Sequence, residues 1–326
     1  MITQEKPKSQ KISVLIPSYN QEDCIVNVLK SIEDQSLHPM EIVIRDDHSS
    51  DNSFEAAREY ANNSSMNIRV YRNQFNLGIY ENVDRLFNDS VGEVTCMVGA
   101  DDLFYKDCFL NLEKHIKEIN LDGNKTKFLT ITNFEIKYSG KGKRTFNNFQ
   151  HRDSNIFSYI LREDLGWRGF GVSSALVKSV GSWKNLLDEH SLLDNSGDQI
   201  INIEEFMHAE KIYFCNFLSS IYVAGVGVSN NLDKKAPKNS IKLNKIIRSK
   251  YRKNLSKRDL RYLEFRDRAA QFQIDQSMRS FLDSLIFFII NIGNFGKNNN
   301  WLIQAKFLLP LSLYKRAKRI FHKFSK

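Results

Sequence analysis

The chain of 326 residues contains only four cysteines and seven histidines, and neither set has metal-ligand spacing. No two cysteines form a CxxC pair, which argues against a zinc ribbon or a dithiol redox site. We therefore expect reduced, mostly packed thiols in a reducing compartment. P-loop and G-x-S-x-G patterns are absent as well, so the sequence does not suggest the sites that those motifs mark.

Long hydrophobic runs are also missing. The longest candidate is "LIFFII" at 285–290, far short of the ~18 apolar residues that a membrane-spanning helix needs. The apolar part of the N-terminus is equally short and runs into Pro17, which is unlike a signal peptide. We expect a cytoplasmic protein that does not cross a membrane.

The charge is unevenly distributed along the chain. Residues 240–326 hold 20 Lys and Arg against 5 Asp and Glu, a net charge of +15. Because the whole chain carries +9, the other 239 residues carry −6. Such a shift in composition marks a domain boundary. We predict one domain over 1–230 and a basic, helical C-terminal region over 231–326.

Strand and helix patterns alternate through the first half of the chain. This order predicts a mostly parallel sheet flanked by helices, the α/β class. Beyond it we predict strands at 127–138 and 211–225, a helix at 197–210, and a polar loop at 140–150. The first-half strands are predicted at 11–17, 40–47, 67–73 and 93–99, and the helices at 22–35, 49–63, 78–90 and 103–119.

Three of the predicted strands end in polar or acidic segments: "PSYNQE", "RDDHSSD" and "GADD". Ligands of such sheets bind outside the carboxyl ends of the strands. The adjacent Asp101 and Asp102 allow two interpretations. Asp102 could cap a helix beginning near Leu103, or the pair could bind a divalent cation, which would remove the repulsion between the two carboxylates.

Four segments together resemble the successive motifs of a family 2 glycosyltransferase. They are "ISVLIPSYNQE", "EIVIRDDHSSDNS", "RNQFNLGIYENVDRLF" and "GEVTCMVGADDLFYKDCF". A response-regulator receiver would place its acidic pair after the first strand, where this chain has "PSYNQE". The resemblance covers residues 11 to about 225. It implies a GT-A fold, in which a mostly parallel nucleotide-binding sheet is flanked by helices, followed here by a C-terminal helical extension.

The resemblance also implies a role for each matching donor-site residue. Pro17 and Tyr19 would line the pocket of the nucleotide base, with Glu22 beside it. Asp47 would accept a hydrogen bond from the base, for which the N–H of uracil or thymine is the natural donor. Asn76 and Gly78 would let the backbone approach the nucleotide.

The paired aspartates would then be the metal site of the family. Asp102 would coordinate Mn²⁺ or Mg²⁺, and Asp101 would contact the ribose or a metal-bound water. The segment "YVAGVGVSNN" lacks the basic residue that often covers the donor diphosphate in the family, which leaves the coverage of that group open.

The resemblance implies a catalytic base in "DNSGDQIINIEEF", where Asp198 is our choice. Glu204, Glu205 and Asp194 are the alternatives, and Asp198 could instead only cap the helix that follows it. On the acceptor side, Trp167 could stack on a sugar and Arg168 could meet a phosphate. An ordinary loop with a packed tryptophan is an equal interpretation.

The function implied is inverting transfer of a sugar from a nucleotide-diphosphate sugar, of the UDP or TDP type. The acceptor would be a glycan or a lipid-linked saccharide, in cell-surface polysaccharide biosynthesis. The alternatives are a polyprenyl-phosphate glycosyltransferase and a non-catalytic nucleotide-binding scaffold. For the basic C-terminal region we weigh an inner-leaflet membrane contact, a helical cap or homodimer contact, and nucleic-acid binding. We expect no nucleic-acid partner, since no recognition module is visible.

Overall fold

The computed structural model describes residues 6–138, 142–151, 157, 161, 169–189, 198–224 and 236–291. The chain divides into two compact units. The first comprises 1–154, 167–193 and 201–231, and the second comprises 155–166, 194–200 and 232–326.

Four parallel strands open the first unit, in the order β3-β2-β1-β4. Residues 12–16 of β1 are all completely buried, as expected of a central parallel strand covered on both faces. The alternation of strands and helices predicted from the sequence is confirmed. The strands are β1 (Ile12–Ser18), β2 (Glu41–Asp46), β3 (Ile68–Arg72) and β4 (Val94–Met97), and the helices are α1 (Ile25–Glu33), α2 (Ser53–Asn63), α3 (Ile79–Asp89) and α4 (Cys108–Ile119).

The sheet continues beyond β4 with mixed directions. Its full order is β3-β2-β1-β4-β8-β6-β9-β5, and β7 pairs with β6. Strand β8 is antiparallel to β4 and β6, β6 and β9 are parallel, and β5 is antiparallel to β9. The elements are β5 (Leu103–Phe104), β6 (Phe128–Tyr138), β7 (Gly142–Phe146), β8 (Gly169–Ser173), α5 (Ser174–Val180), α6 (Trp183–Glu189), α7 (Asp198–His208) and β9 (Lys211–Ala224).

Two predicted elements were wrong. The helix predicted at 103–119 begins only at Cys108, because residues 103–104 form β5 and pair with Ser220 and Ile221 of β9. The polar loop predicted at 140–150 contains β7, an exposed strand whose Phe146 stacks on Phe134 of β6 with ring centroids 4.7 Å apart. Charged residues are common on edge strands, and they conceal the alternation that marks half-buried ones.

The core lies between the first strands and helices α1 and α4. Phe109 of α4 and Phe170 of β8 stack with ring centroids 6.3 Å apart, and Phe104 packs 4.8 Å from Phe109. A Cβ on Gly171 of β8 would come within 3.0 Å of Leu112, so the glycine allows α4 to approach the sheet. This packing fixes the segment that joins β4 to α4, which carries the paired aspartates.

The described part of the second unit is mainly helical. It contains α8 (Ala236–Lys250), α9 (Lys257–Asp275) and α10 (Met278–Asn291). A capping box starts α9, since Ser256 Oγ accepts from the Asp259 N–H at 3.1 Å and Asp259 Oδ2 accepts from the Ser256 N–H at 2.9 Å. No helix in the described ranges has both the length and the apolar character that a membrane crossing requires.

Candidate active site

Hydrogen bonds join the loops that follow β1 and β2. The Asn20 N–H donates to Ser49 Oγ at 2.9 Å, and Asn20 Oδ1 accepts from the Ser50 N–H at 3.0 Å. The Gln21 N–H donates to Ser53 Oγ at 2.6 Å. Asn20 adopts a left-handed backbone conformation, with φ of 52°, which asparagine tolerates better than most residues. The two loops are thereby held together at the carboxyl ends of neighbouring strands.

Pro17 and Tyr19, predicted to line a base pocket, lie at the end of β1. Pro17 is partly buried and is in register with Arg45 of β2. Tyr19 is 37% exposed, so its ring is accessible at this end of the strand. An exposed aromatic face of this kind is suited to stacking on a planar ligand.

The third predicted base-pocket residue, Glu22, is already engaged. Its carboxylate accepts hydrogen bonds from Asn52 Nδ2 at 2.8 Å and from the Asn52 N–H at 3.2 Å. Asn52 precedes α2, so Glu22 satisfies one of the free N–H groups at that helix start. In this structure Glu22 positions the loop, and its place beside a bound base stays a prediction.

The carboxylate of Asp47 is buried and holds the turn before α3. Its Oδ1 accepts from the Leu77 N–H at 2.8 Å and from Asn73 Nδ2 at 2.9 Å, while Oδ2 accepts from the Gly78 N–H at 2.8 Å. A carboxylate offers about four acceptor positions. Oδ2 therefore keeps capacity for one further donor, as the predicted contact with a base requires.

Asn73 was not predicted to belong to the site. It donates from Nδ2 to Asp47 and to Asn82 Oδ1 at 2.8 Å, and its Oδ1 accepts from Arg45 Nη1 at 3.0 Å. Asn73 and Asn82 are almost completely buried, so this network is protected from water. The only sequence signal was a polar residue directly after β3, the same signal that marked the ends of β1, β2 and β4.

Asn76 and Gly78 form the turn that Asp47 holds. Asn76 Oδ1 accepts from the Gly78 N–H at 3.1 Å. Gly78 has φ of +81° and ψ of 159°, a conformation that is essentially restricted to glycine. Nothing lies within 4 Å of where its Cβ would be, so the backbone at this position is open.

Asp101 and Asp102 converge at the end of β4. A Cβ on Gly99 would lie 2.7 Å from Asp101 Oδ1 and 3.5 Å from Asp102 Oδ2, so oxygens of both carboxylates lie near one point. Asp102 is 1% exposed, and α4 begins six residues after it, at Cys108. The structure therefore does not support the interpretation of Asp102 as a helix cap.

Two further interactions involve this pair. Asp102 Oδ1 accepts from the Val223 N–H of β9 at 3.3 Å. Burial and then the negative charge of Asp101 raise the pKa of the Cys24 thiol at the start of α1. Asp102 is thus held between the ends of β4 and β9.

The two carboxylates form a donor set that fits a divalent cation. Two carboxylates at one point supply the hard oxygen ligands that Mg²⁺ and Mn²⁺ prefer. Among the described residues no group of three or more His, Cys, Asp or Glu side chains could hold a metal by itself. The pair therefore suits an ion that also binds phosphate oxygens and water, the usual arrangement for Mg²⁺ with phosphate substrates.

The predicted catalytic residues lie on or near α7. Asp198 is the exposed first residue of the helix and belongs to the second unit. Glu204 is buried, and its Oε2 lies 3.5 Å from His208 Nε2. Burial raises the pKa of Glu205 to about 8. An acid in the first turn favours the helix, so both interpretations of Asp198 stay open. Trp167, Arg168 and Asp194 lie outside the described residues.

Comparison with known proteins identifies relatives of this chain. Residues 13–168 match the family model described as "Glycosyl transferase family 2". A "Cholesterol galactosyltransferase" of Borreliella burgdorferi is 26% identical over 214 residues, or 63% of this chain. That match covers 58% of the relative, so the chain spans a little over half the length of this curated protein.

Solved structures share the fold. The complex of S. aureus TarS 1-349 with UDP-GlcNAc has a TM-score of 0.56 at 16% identity, covering 92% of this chain and 82% of that one. The mannosyltransferase PcManGT of Pyrobaculum calidifontis, in complex with GDP-Man and Mn²⁺, has a TM-score of 0.52 at 14% identity, covering 98% and 89%. The fold is GT-A, and the match over residues 13–168 identifies that part of the chain as a family 2 glycosyltransferase domain.

Proposed function

We propose that this protein transfers a sugar, with inversion, from a UDP or TDP sugar to a glycan or lipid-linked saccharide. The observation that carries the proposal is the convergence of Asp101 and Asp102 beside Gly99, at the edge of the sheet that also carries Asp47 and Tyr19. The paired oxygen ligands suit a divalent cation that also binds a diphosphate. The exposed aromatic ring and the buried hydrogen-bond acceptor suit a base. The complex of PcManGT with GDP-Man and Mn²⁺ supports this reading through the shared fold.

Within the proposal, the chain's own residues have separate roles. Tyr19 stacks on the base, Asp47 accepts its N–H, and the Leu77–Gly78 turn passes beside the nucleotide. Asp102 and Asp101 hold Mn²⁺ or Mg²⁺. When bound, this ion supplies positive charge that stabilises the leaving diphosphate. Asp198 takes the proton of the acceptor hydroxyl.

The donor site is tested by thermal shift with UDP, TDP, GDP, CDP and ADP, each with and without Mn²⁺. A ligand at 100 times its Kd stabilises the folded state by about 2.7 kcal/mol, a readily measured shift. We expect a Mn²⁺-dependent shift with UDP or TDP that Asp102→Asn abolishes. Asp34→Asn, at the exposed end of α1, is the matched control. If no nucleotide shifts the wild type, the proposal fails and a scaffold without this site becomes the better reading.

The base is tested separately. Asp198→Asn should keep the Mn²⁺-dependent nucleotide shift and lower the turnover of the UDP-sugar by about 10²- to 10⁴-fold. Glu204→Gln and Glu205→Gln are the comparison variants, since both acids were alternatives. Normal turnover in Asp198→Asn would assign the base to another residue.

We also propose peripheral contact of the C-terminal region with an anionic membrane surface. Met278, Leu282 and Ile286 are exposed on α10 at four-residue spacing, with exposed fractions of 70%, 45% and 55%. Residues 240–326 supply the net charge of +15 that anionic lipids attract. Such a contact would suit a lipid-linked acceptor. Cosedimentation with phosphatidylglycerol vesicles, lost in Leu282→Glu and absent with neutral vesicles, is the expected result. Equal sedimentation of the wild type and Leu282→Glu would refute the membrane contact.

A further inference from the structure

An open groove of about 680 Å³ lies in the first unit, where the segment after β4 faces the β6–β7 hairpin. Tyr105 and Lys106 line one side, Lys137 and Lys143 line the other, and Ile221 of β9 contributes between them. None of these residues was predicted from the sequence to belong to a site.

The groove borders the paired aspartates through two short connections. Phe104, which also lines it, is two residues after Asp102. Ile221 is two residues before Val223, whose N–H donates to Asp102 Oδ1. A ligand in the groove would therefore lie beside the predicted donor site.

The groove contains a carboxylate and an aromatic ring, which are the kinds of group that contact sugars. Glu135 is 5% exposed, and its Oε1 accepts from Lys143 Nζ at 2.9 Å and from Thr145 Oγ1 at 3.2 Å. Among the described residues Oε2 accepts only from Lys143 Nζ, at 3.2 Å, and so keeps capacity for a hydroxyl donor. Tyr105 adds a partly exposed aromatic ring, on which an apolar sugar face can pack.

The groove is lined by three lysines and one glutamate. Glu135 and, more weakly, Tyr105 raise the pKa of Lys143, so this lysine is matched by a buried carboxylate. Neither Lys106 nor Lys137 has an ion-pair partner among the described residues. Two unmatched positive charges at the rim of a concave surface attract an anion.

We infer that this groove binds the acceptor of the proposed transferase, and that the acceptor is an anionic saccharide. The identification of the ligand as the acceptor rests on the proposed function, whereas the preference for an anionic saccharide rests on the groove alone. A uronic acid and a sugar phosphate would both supply the charge, and the experiment separates them.

The test measures binding by saturation-transfer NMR on the full chain. The probes are 4-nitrophenyl β-D-glucuronide, its uncharged glucoside counterpart, glucose 6-phosphate and inorganic phosphate. We expect the glucuronide or the sugar phosphate to bind about fivefold more tightly than the glucoside, from two exposed charge contacts. The preference should disappear in Lys106→Gln/Lys137→Gln. The matched control is Lys30→Gln/Lys114→Gln, which removes the same charge from α1 and α4 outside the groove.

Several results would overturn the inference. The inference fails if the glucuronide and the glucoside bind equally, or if no sugar binds. It also fails if the preference survives in Lys106→Gln/Lys137→Gln, or if inorganic phosphate binds as tightly as the anionic sugars. The Mn²⁺-dependent thermal shift of the wild type is measured in parallel with both UDP and TDP. Its absence alongside a glucuronide preference refutes the proposed function and leaves an anionic-saccharide groove, while the reverse pattern refutes the groove alone.

Discussion

The buried carboxylate of Asp47 accepts a hydrogen bond from the N–H of Gly78, 31 residues further along the chain, at 2.8 Å. One side chain at the end of β2 thereby fixes the turn that begins α3. A residue predicted only to contact a nucleotide base also determines the conformation of a second part of the same site.

Asp47→Asn should therefore reduce both stability and nucleotide binding. The amide can accept at one atom only, so its NH₂ group would face the N–H of Gly78 or of Leu77. A buried donor without an acceptor costs about 1–3 kcal/mol. Urea unfolding measures the loss, with Asp34→Asn as the control. An unchanged free energy of unfolding would show that the turn does not depend on Asp47.

Gly99→Ala should impair the metal site and leave the fold nearly intact. The new Cβ would lie 2.7 Å from Asp101 Oδ1, the end of a side chain that can move away. We expect Mn²⁺ affinity in the presence of UDP to fall by about 10- to 100-fold, as for other disturbances around a metal site. Isothermal titration with Mn²⁺ measures the change, and wild-type affinity would contradict convergence of the two carboxylates on one ion.

Gly123→Ala is the contrasting variant. Its Cβ would meet the backbone oxygen of Glu93 at 2.3 Å, which cannot move without shifting the strand start. We expect a loss of about 1–3 kcal/mol of stability, typical of overpacking. Its Mn²⁺ affinity, measured at a temperature where it stays folded, should resemble that of the wild type.

Cys24 should report on the charge of Asp101. Burial raises the pKa of the other three thiols, which are all buried, so Cys24 is the thiol expected to react with DTNB in the folded state. Asp101 raises the pKa of Cys24 by its negative charge. Removing that charge in Asp101→Asn should lower this pKa and increase the labelling rate at pH 8.

Two control variants can be compared in the same labelling assay. Asp23→Asn should accelerate labelling less than Asp101→Asn, because its effect on the Cys24 pKa is the smaller of the two. Cys24→Ser should remove the fast phase. A rate that is the same in wild type and Asp101→Asn would place the carboxylate too far from the thiol.

Glu205 should make the protein less stable as pH rises. Burial raises its folded-state pKa to about 8, from an ordinary value of 4.5. Between these values the folded state binds more protons than the unfolded state, so stability falls with increasing pH. Below about pH 4.5 both states hold the proton and the effect vanishes. Glu205→Gln should therefore be neutral near pH 5 and stabilising at pH 8, by a few kcal/mol at most.

Chemical unfolding at the two pH values measures this difference. Glu210→Gln is the control, because Glu210 lies at the exposed end of the same segment. An equal effect of Glu205→Gln at pH 5 and pH 8 would show that the carboxyl titrates normally.

The order of strands and helices in the first half was readable from the sequence because burial on both faces produces continuous apolar runs. Segments 12–16 and 42–44 carry that signal, and the acids beyond them marked the sheet edge. Strand β5, with two residues, and β7, on an exposed edge, carry no such local pattern. The partner of β5 lies more than 100 residues away on β9, whereas β7 pairs with the preceding strand β6 and was missed because its exposed, charged residues carry no apolar alternation.

The candidate site divides in the same way. The sequence alone determined which carboxylates stand at strand ends, since that follows from local periodicity and adjacency at 47, 101 and 102. Only the tertiary structure decided what each one contacts: the Asp47 carboxylate binds the turn at 77–78, and Asp102 is held by Val223. Hydrogen-bond partners separated by 30 to 121 residues are chosen by packing of the whole sheet, and no local pattern encodes that choice.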